Sequence, residues 1–282
     1  MLSAKHTNVV RAFGCVQWRY GAAILMKYYP RGTLKAYLLF VEDSVSAQMR
    51  LRVAYEISCG ISHLHHLIPP IIHSDIKPEN IFLCQGLHCH IGDFGTAKSI
   101  ISDNGTEINA FSNEYGLLGM SAAYTAPEKL RDISIPASTN QDTFSFGMTM
   151  HMILTREMPF KTDEEKFTEW IMEGKRPQTK AVDRLKANSR ENAQNTIIAC
   201  LDSQMKKCWS QEPNNRPDMI FVRDCFEKEM KKIPSDTPKK DFDHIIENEN
   251  LSFESLQNYD PSQKSFVKGK PFPSQVTYIF SR

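Results

Sequence analysis

The sequence lacks any long apolar run. No stretch of its 282 residues approaches the roughly 18 uncharged apolar residues of a membrane-spanning helix, and residues 1–10 contain no apolar core of a signal peptide. It also lacks an excess of either charge, since 34 Lys and Arg against 33 Asp and Glu leave a formal charge of +1. The net charge is therefore too small to produce an electrostatic field that attracts nucleic acid or an acidic membrane to the chain as a whole. These absences predict a soluble, cytoplasmic protein with no membrane span and no nucleic-acid partner, and they leave its oligomeric state open.

The sequence also lacks the spacing of a disulfide framework or of a zinc site. Its seven cysteines are an odd number and include no C-x-x-C pair, so reduced thiols are expected. Two groups rich in His and Cys, within residues 63–66 and 84–90, show neither finger nor ribbon spacing. They are interpreted as structural or solvated side chains rather than as metal ligands.

Hydrophobic patterning predicts a strand pair followed by a long helix. The composition is 41% hydrophobic and 24% charged, as in ordinary globular proteins. Two apolar runs, 9–16 and 22–29, have the spacing of an antiparallel pair. Ser46 is a candidate N-cap for the helix. Apolar residues at spacings of four, four and three define its buried face: Val53, Ile57, Ile61 and Leu64.

The second half of the chain is predicted to be helical and to end in a tail. Apolar residues fall on every side of the segment 143–154, which is typical of a helix that is buried all round. Further helical patterns cover roughly 162–171, 194–208 and 217–230. The periodicity then disappears, so residues 234–282 are predicted to form a disordered tail.

The segment that carries chemistry is H-S-D-I-K-P-E-N at residues 73–80, followed by D-F-G at residues 93–95. Phosphoryl transfer needs an oriented hydroxyl and metal ions that neutralise the phosphate oxygens. Carboxylate and amide oxygens are suitable ligands for Mg²⁺. Asp75, Asn80 and Asp93 supply these groups, so the two segments together form a candidate site for this reaction.

These motifs resemble those of the eukaryotic protein kinases. Residues 73–80 are similar to the H-R-D-L-K-P-E-N catalytic loop of the family, and residues 93–95 to its D-F-G. Residues 126–128 resemble the A-P-E that closes the activation segment. Residues 142–147 resemble the central helix of the family, and residues 208–217 its late C-W and R-P element. All five occur in the order of the family. The resemblance implies an α+β, protein-kinase-like fold with a mostly helical C-terminal lobe.

The resemblance also implies roles for the loop residues. Asp75 would act as the base or would orient the substrate hydroxyl, and Lys77 would place a charge near the transferring phosphoryl group. Asn80 and Asp93 would be the Mg²⁺ ligands. The reaction implied is transfer of the ATP γ-phosphoryl group to a protein hydroxyl, with ATP and Mg²⁺ as cofactors and a protein as substrate.

The nucleotide site is assigned by the same resemblance. The run I-L-M-K-Y-Y-P-R-G is similar to the strand and hinge that hold adenine in the family. Met26 would be the gatekeeper, and the Lys27 carbonyl and the Tyr29 amide, on either side of Tyr28, would face the base. Phe82 would form the apolar floor of the pocket.

Two positions favour serine/threonine specificity over tyrosine specificity. Lys77, two residues after Asp75, is the form typical of serine/threonine kinases, and Ser121 stands where these usually have a threonine that contacts the loop lysine. The S-F-G element at residues 145–147 and the C-W element at residues 208–209 favour the tyrosine-kinase-like branch of that group.

The catalytic loop departs from the family at Ser74, where most members have an arginine that pairs with a phosphorylated residue of the activation segment. Phosphorylation is therefore hypothesised not to be the activating switch. The segment from Asp93 to Glu128 is also longer than the family needs, and a flexible insert is expected within it.

The start of the chain also departs from the family, because the G-x-G-x-x-G loop, the V-A-I-K lysine and the helix glutamate are missing. The expected organisation is a remnant of the N-terminal lobe over residues 1–29, a C-terminal lobe over 30–233 and the tail over 234–282. We interpret the chain as a fragment or incomplete gene model of a serine/threonine kinase. The alternative is a catalytically inactive, kinase-like scaffold that offers its helical lobe to partners.

Overall fold

A computed structural model describes most of the chain. The described residues are 5–18, 21–40, 45–101, 106–109, 119–160, 164–188, 192–233 and 276–281. The strands are β1 (Ala12–Trp18), β2 (Gly21–Lys27), β3 (Ile71–Ile72), β4 (Ile81–Leu83), β5 (Cys89–Ile91), β6 (Lys98–Ile101), β7 (Thr106–Asn109) and β8 (Val276–Ser281). The helices are α1 (Leu34–Phe40), α2 (Ala47–His65), α3 (Pro127–Arg131), α4 (Thr139–Thr155), α5 (Glu164–Met172), α6 (Lys180–Asn188), α7 (Asn192–Cys208) and α8 (Met219–Met230).

The first sheet contains the predicted antiparallel pair and one strand that was not predicted. β1 pairs with β2 from Trp18 opposite Gly21 to Ala12 opposite Met26. β8 pairs with the other edge of β2, which gives the strand order β1, β2, β8. The expectation of a disordered tail over 234–282 is therefore wrong for β8, because a distant strand edge supplies its hydrogen bonds. Residues 234–275 lie outside the described residues.

A backbone contact connects the segment before β1 to the helical body. Val10 N donates to the Ile91 carbonyl at 2.8 Å, and Ile91 N donates to the Asn8 carbonyl at 2.9 Å. Gly60 of α2 lies beneath this segment, because a Cβ there would come within 2.8 Å of Asn8 O. The absence of a side chain at residue 60 allows the strand segment to lie directly on the helix.

Helices α2 and α4 form the centre of the body. The Ser46 side chain accepts a hydrogen bond from Met49 N at 3.1 Å, which confirms the predicted N-cap of α2. All four residues of the predicted apolar face of α2 are buried. Every residue of α4 from Gln141 to Leu154 is buried as well, which confirms a helix surrounded by protein.

The later helices lie close to their predicted positions. α5, α7 and α8 match the predicted segments to within about two residues at most ends. The short helices α1, α3 and α6 were not predicted, since each is too short to show a clear apolar period. Within the described residues, no helix combines the length and apolar character that crossing a bilayer requires.

Candidate active site

The loop between β3 and β4 connects three of the proposed catalytic side chains. Lys77 Nζ lies 2.6 Å from Asp75 Oδ2, and Asn80 Nδ2 donates to the same oxygen at 2.8 Å. Asn80 Nδ2 also donates to the Asp75 main-chain carbonyl at 2.8 Å. Asn80 is only 5% exposed, so its amide is fixed within the loop. The carboxylate of Asp75 is thus held by one cation and one amide.

The hairpin of β4 and β5 brings Asp93 to the same end of the loop. Ile81 pairs with Ile91, and Gly92 N donates to the Asn80 carbonyl at 2.9 Å. Asp93 therefore follows immediately after the residue that is bonded to Asn80. Its backbone is left-handed, with φ 59°, and its Oδ1 accepts from Gly95 N at 3.3 Å. The carboxylate is exposed beside the loop that contains Asp75.

A buried carboxylate on α4 holds the start of the catalytic loop. Asp142 accepts hydrogen bonds from the backbone amides of His73 and Ser74, both at 2.8 Å. His65 Nε2 lies 2.9 Å from Asp142 Oδ2, and both side chains are at most 2% exposed. His73 Nε2 in turn donates to the Gly92 carbonyl at 2.9 Å. His73 therefore connects the catalytic loop, which Asp142 holds, to Gly92 just before the D-F-G segment.

Sequence reasoning placed Asp142 in the central helix but missed this anchoring role. It also treated His65 only as part of a histidine-rich helix end. The signal that could have found Asp142 is a carboxylate in a segment that is otherwise buried on every side, because such a group requires hydrogen-bond donors.

The predicted adenine residues lie partly together. Met26 and Tyr29 are 3% and 5% exposed and pack with Val10, and Phe82 packs against this cluster. The rings of Tyr29 and Phe82 are 5.7 Å apart. The side chain of Tyr28 is not part of the cluster, since the residue is 43% exposed.

Lys27 is held by the neighbouring strand segment. Its backbone N donates to the Arg11 carbonyl at 3.2 Å. This bond fixes the end of β2 where the predicted hinge begins. Of the five predicted residues, Met26, Tyr29 and Phe82 share one apolar cluster, whereas Lys27 and Tyr28 border it through the backbone.

His90 lies beneath this cluster. It occupies the middle of β5, opposite Phe82, and its ring centroid is 4.7 Å from that of Tyr29. Burial and, to a lesser extent, the positive charge of Lys27 lower the pKa of His90 to about 4, while Glu56 opposes the change. The histidine is thus kept neutral beside the apolar cluster.

Comparison with known proteins identifies the family. A family model described as protein tyrosine and serine/threonine kinase matches residues 1–226. The chain belongs to this kinase family. Both the predicted family and the predicted kinase-like fold are confirmed.

Curated relatives are protein kinases by name. The chain is 30% identical over 220 residues to receptor-interacting serine/threonine-protein kinase 4 of Mus musculus, which covers 77% of this chain and 26% of the relative. It is 27% identical over 239 residues to serine/threonine-protein kinase VIK of Arabidopsis thaliana, covering 84% and 50%. It is 31% identical over 226 residues to integrin-linked protein kinase 1 of Arabidopsis thaliana, covering 78% and 43%. The chain spans a quarter to a half of the length of these relatives.

The A-P-E element of this kinase domain is joined to the late helices by an ion pair. Arg216 Nη1 and Nη2 lie 2.6 and 2.8 Å from the two carboxylate oxygens of Glu128. The arginine side chain is fully buried, and its guanidinium lies over the Phe144 ring at 5.1 Å. Glu128 and Arg216 therefore form a structural ion pair.

The activation segment of the kinase domain is described only in part. β6 pairs with both β3 and β7, and Thr96 Oγ1 donates to the His73 carbonyl at 3.2 Å. Ser121 lies in a 3₁₀ turn over Gly119–Tyr124, but its side chain is outside the described part. The expected flexible insert falls mainly on residues 102–105 and 110–118, which also lie outside the described residues.

The histidine-rich groups make contacts with protein. His65 is bonded to Asp142, and His88 Nδ1 lies 2.7 Å from Glu56 Oε1. The described residues contain no cluster of three or more His, Cys, Asp or Glu side chains with the geometry of a metal site. A Mg²⁺ ion differs from such a site, because it is usually held by one or two protein oxygens together with phosphates and water.

The donor set of the loop fits a Mg²⁺ ion of that kind. Asn80 uses its Nδ2 for both bonds to Asp75, which turns its amide oxygen toward other partners. Asp93 contributes an exposed carboxylate at the adjacent position. One carboxylate and one amide oxygen are hard ligands of the type that Mg²⁺ prefers.

Proposed function

We propose that the chain is the catalytic domain of a protein serine/threonine kinase, which transfers the γ-phosphoryl group of ATP to a hydroxyl of a protein substrate. The observation that carries this proposal is the connected group of Asp75, Lys77 and Asn80, with Asp93 next to it. A cation, a fixed carboxylate and two hard ligands are the elements that this reaction uses.

Asp75 would receive the proton of the substrate hydroxyl. Its Oδ2 accepts hydrogen bonds from Lys77 and Asn80, and this fixes the plane of the carboxylate. Its Oδ1 would then accept from the attacking hydroxyl, which is oriented by the same bond. Lys77, which reaches Asp75 at 2.6 Å, would stabilise negative charge on the transferring phosphoryl group.

Asn80 and Asp93 would hold Mg²⁺. When bound, the ion would neutralise negative charge on the phosphate oxygens. The contribution of the chain would be to keep the two oxygens adjacent, and the backbone bond from Gly92 to Asn80, just before Asp93, supports this. The apolar cluster of Met26, Tyr29 and Phe82 would bind the adenine base, with the backbone of Lys27, Tyr28 and Tyr29 at its edge.

Serine/threonine specificity is supported by Lys77 and by the relatives. Lys77 contacts the proposed base directly. The three relatives described above are kinases, and two of them are serine/threonine-protein kinases by name. A serine/threonine kinase activity like that of these relatives, on a protein substrate, is therefore part of the proposal for this chain.

The proposal is tested with Asp93→Asn in the full-length protein. Asparagine removes the negative charge and one of the two oxygens that the carboxylate would offer to Mg²⁺, so incorporation of radiolabelled phosphate into a general protein substrate is expected to fall by about a hundredfold or more. Asp132→Asn is the matched control, because Asp132 is exposed and is bonded to Ser134 outside the catalytic loop. Phosphate transfer that survives Asp93→Asn would contradict the assignment.

A second measurement separates a kinase from a noncatalytic scaffold. Mg²⁺ and ATP together are expected to raise the melting temperature of the full-length protein, because a ligand that binds only the folded state stabilises it. The Asp93→Asn variant should show a smaller rise. If neither protein responds to the nucleotide, the scaffold alternative is favoured.

A further inference from the structure

Two histidines from distant parts of the sequence stack against each other where the segment before β1 meets α2. The ring centroids of His6 and His63 are 4.7 Å apart, and the rings are inclined by only 19°. His63 lies in the last turn of α2. Neither ring takes part in the proposed catalysis, and histidine is the side chain that most readily changes its charge near neutral pH.

The hydrogen bonding of His6 requires a neutral ring. Asn8 N donates to His6 Nδ1 at 3.1 Å, so this nitrogen carries a lone pair and not a proton. Protonation of Nδ1 would place two N–H groups opposite each other and would remove the bond. This bond fixes the turn at residues 6–9, in which Val9 N also donates to the His6 carbonyl at 3.2 Å.

His63 is also poorly placed to carry a charge. Its Nε2 is buried and has no hydrogen-bond partner within the described part of the chain. A proton there would create a buried donor without an acceptor, because Nδ1 of the stacked His6 already accepts from Asn8. Burial, and then the charge of His63, lower the pKa of His6 below its ordinary value of 6.5. The geometry therefore favours the neutral form of both rings.

Other titratable groups lie on each element around the pair. Lys5 is exposed on the same segment. On α2, His66 Nε2 lies 3.9 Å from Asp218 Oδ2, and the His66 side chain is 47% exposed. On β5, burial lowers the pKa of His90 to about 4. Among the described residues, His63 is the charged group that lowers the pKa of His6.

The turn at residues 6–9 is bonded to β5, which leads to the D-F-G segment. Asn8 Nδ2 donates to the Cys89 carbonyl at 3.0 Å. Ile91 N donates to the Asn8 carbonyl at 2.9 Å, and Val10 N donates to the Ile91 carbonyl at 2.8 Å. One residue after Ile91 the D-F-G segment begins. The turn therefore holds the strand that positions this segment.

We propose that His6 and His63 are positioning residues that hold the turn at residues 6–9 on β5 while both rings are neutral, and that acid releases this turn. A released His6 binds a proton near pH 6.5, whereas the stacked ring binds one only at lower pH. The turn is therefore held fully above pH 6.5 and is released as the pH falls below that value. The pair thus links the position of Asp93 to pH. This inference goes beyond the proposed catalysis, and its test does not depend on it.

Hydrogen exchange in the full-length protein tests the pair. The protection of the Val10 and Ile91 amides, relative to their intrinsic exchange at each pH, should fall between about pH 7.5 and 5.5. In His6→Asn this fall should be smaller by about tenfold, the factor for a group with an ordinary pKa one unit above the lower pH. Asparagine keeps an acceptor oxygen for Asn8 N and does not titrate in this range. Amides of α4 report any loss of the whole fold.

Two further variants identify the group responsible. His63→Phe keeps a stacked ring and should reduce the fall by a smaller factor, because His6 can still bind a proton. His66→Asn is the matched control at the same helix end and should leave the fall unchanged. A fall in His6→Asn equal to that of the unaltered chain would assign the effect to another group, such as His90, and would overturn the proposal. Since no nucleotide is present, failure here is distinguishable from failure of the proposed kinase activity.

Discussion

The Asp142 carboxylate accepts a hydrogen bond from the backbone amide of Ser74 at 2.8 Å. Ser74 has φ 64°, a conformation that is costly for a residue with a side chain, so the bond stabilises a strained point of the catalytic loop. The next residue is Asp75, the proposed base. The position of the base is therefore determined by a carboxylate that lies in the first turn of α4.

Asp142→Asn is expected to destabilise the fold and to lower activity together. The amide has one acceptor oxygen and would direct its NH₂ group toward a donor, so at least one buried group would lose its partner. The free energy of unfolding should fall by about 3 kcal/mol in chemical denaturation. Asp224→Asn is the control, because that carboxylate is 44% exposed and pairs with a partly exposed arginine. Equal stability of the two variants would argue against the anchoring role.

Gly147→Ala should destabilise the helical body through a steric clash. A Cβ at residue 147 would lie 2.8 Å from the backbone N of Trp209, which cannot move independently of its helix end. Alanine normally favours a helix by about 1 kcal/mol over glycine, so a net loss of about 1–3 kcal/mol would show that the close approach dominates. Thermal denaturation measures this change.

The matched control for that substitution is Gly14→Ala, since nothing lies within 4 Å of a Cβ at residue 14. Its effect on the free energy of unfolding should remain within about 0.5 kcal/mol. A stabilising effect of alanine at residue 147 would show that α4 and the Trp209 segment are farther apart than described.

Stability should fall in acid because of His90. Its pKa is near 4 in the folded protein, mainly through burial and also through Lys27, against an ordinary value of 6.5. Between these values the unfolded chain binds a proton at residue 90 that the folded chain does not. The free energy of unfolding is therefore unaffected by His90 protonation above pH 6.5. It falls as the pH drops from 6.5 toward 4, by on the order of 3 kcal/mol in total.

His90→Phe isolates this contribution, because phenylalanine keeps a ring beside Tyr29 and cannot bind a proton. Urea denaturation of both proteins across this pH range should show a flatter acid limb for the variant. Parallel curves for the two proteins would exclude His90 as the source of the acid sensitivity.

Activity should not depend on phosphorylation of the activation segment. Ser74 is exposed and uncharged, so the catalytic loop offers no guanidinium at this position to a phosphate on that segment. Phosphatase treatment of the purified full-length protein is expected to change its rate by less than about twofold. A large loss of rate after dephosphorylation would refute the hypothesis, and Ser74→Arg is the variant in which such dependence should appear.

Features with a local cause could be predicted from the sequence. The Ser46 cap and the apolar face of α2 depend on residues within a few positions of each other, and both are present. The all-round burial of α4 was visible as apolar residues on every side of the helix. The family motifs likewise follow from short strings of residues, and the family is confirmed.

Features that depend on distant pairing could not be predicted. β8 has no periodic signal beyond a few β-favouring residues, and its partner lies about 250 positions earlier in the chain. The Asp142 bonds to the catalytic loop cross 68 and 69 positions. No local pattern encodes which donors a buried carboxylate will meet.

The sequence by itself determined the family of this protein and supplied, at residues 73–80 and 93–95, the groups that we propose bind a metal, a phosphate and a hydroxyl. The tertiary structure decided how these groups are held. Asp75 and Asn80 are bonded within the loop, Asp93 follows the Gly92 amide that donates to the Asn80 carbonyl at the end of the β4–β5 hairpin, and Asp142 of α4 holds the start of the loop. The physical reason is that hydrogen bonds to a buried carboxylate and between strand edges are satisfied by the whole fold, whereas helix caps and apolar faces are satisfied within a few turns.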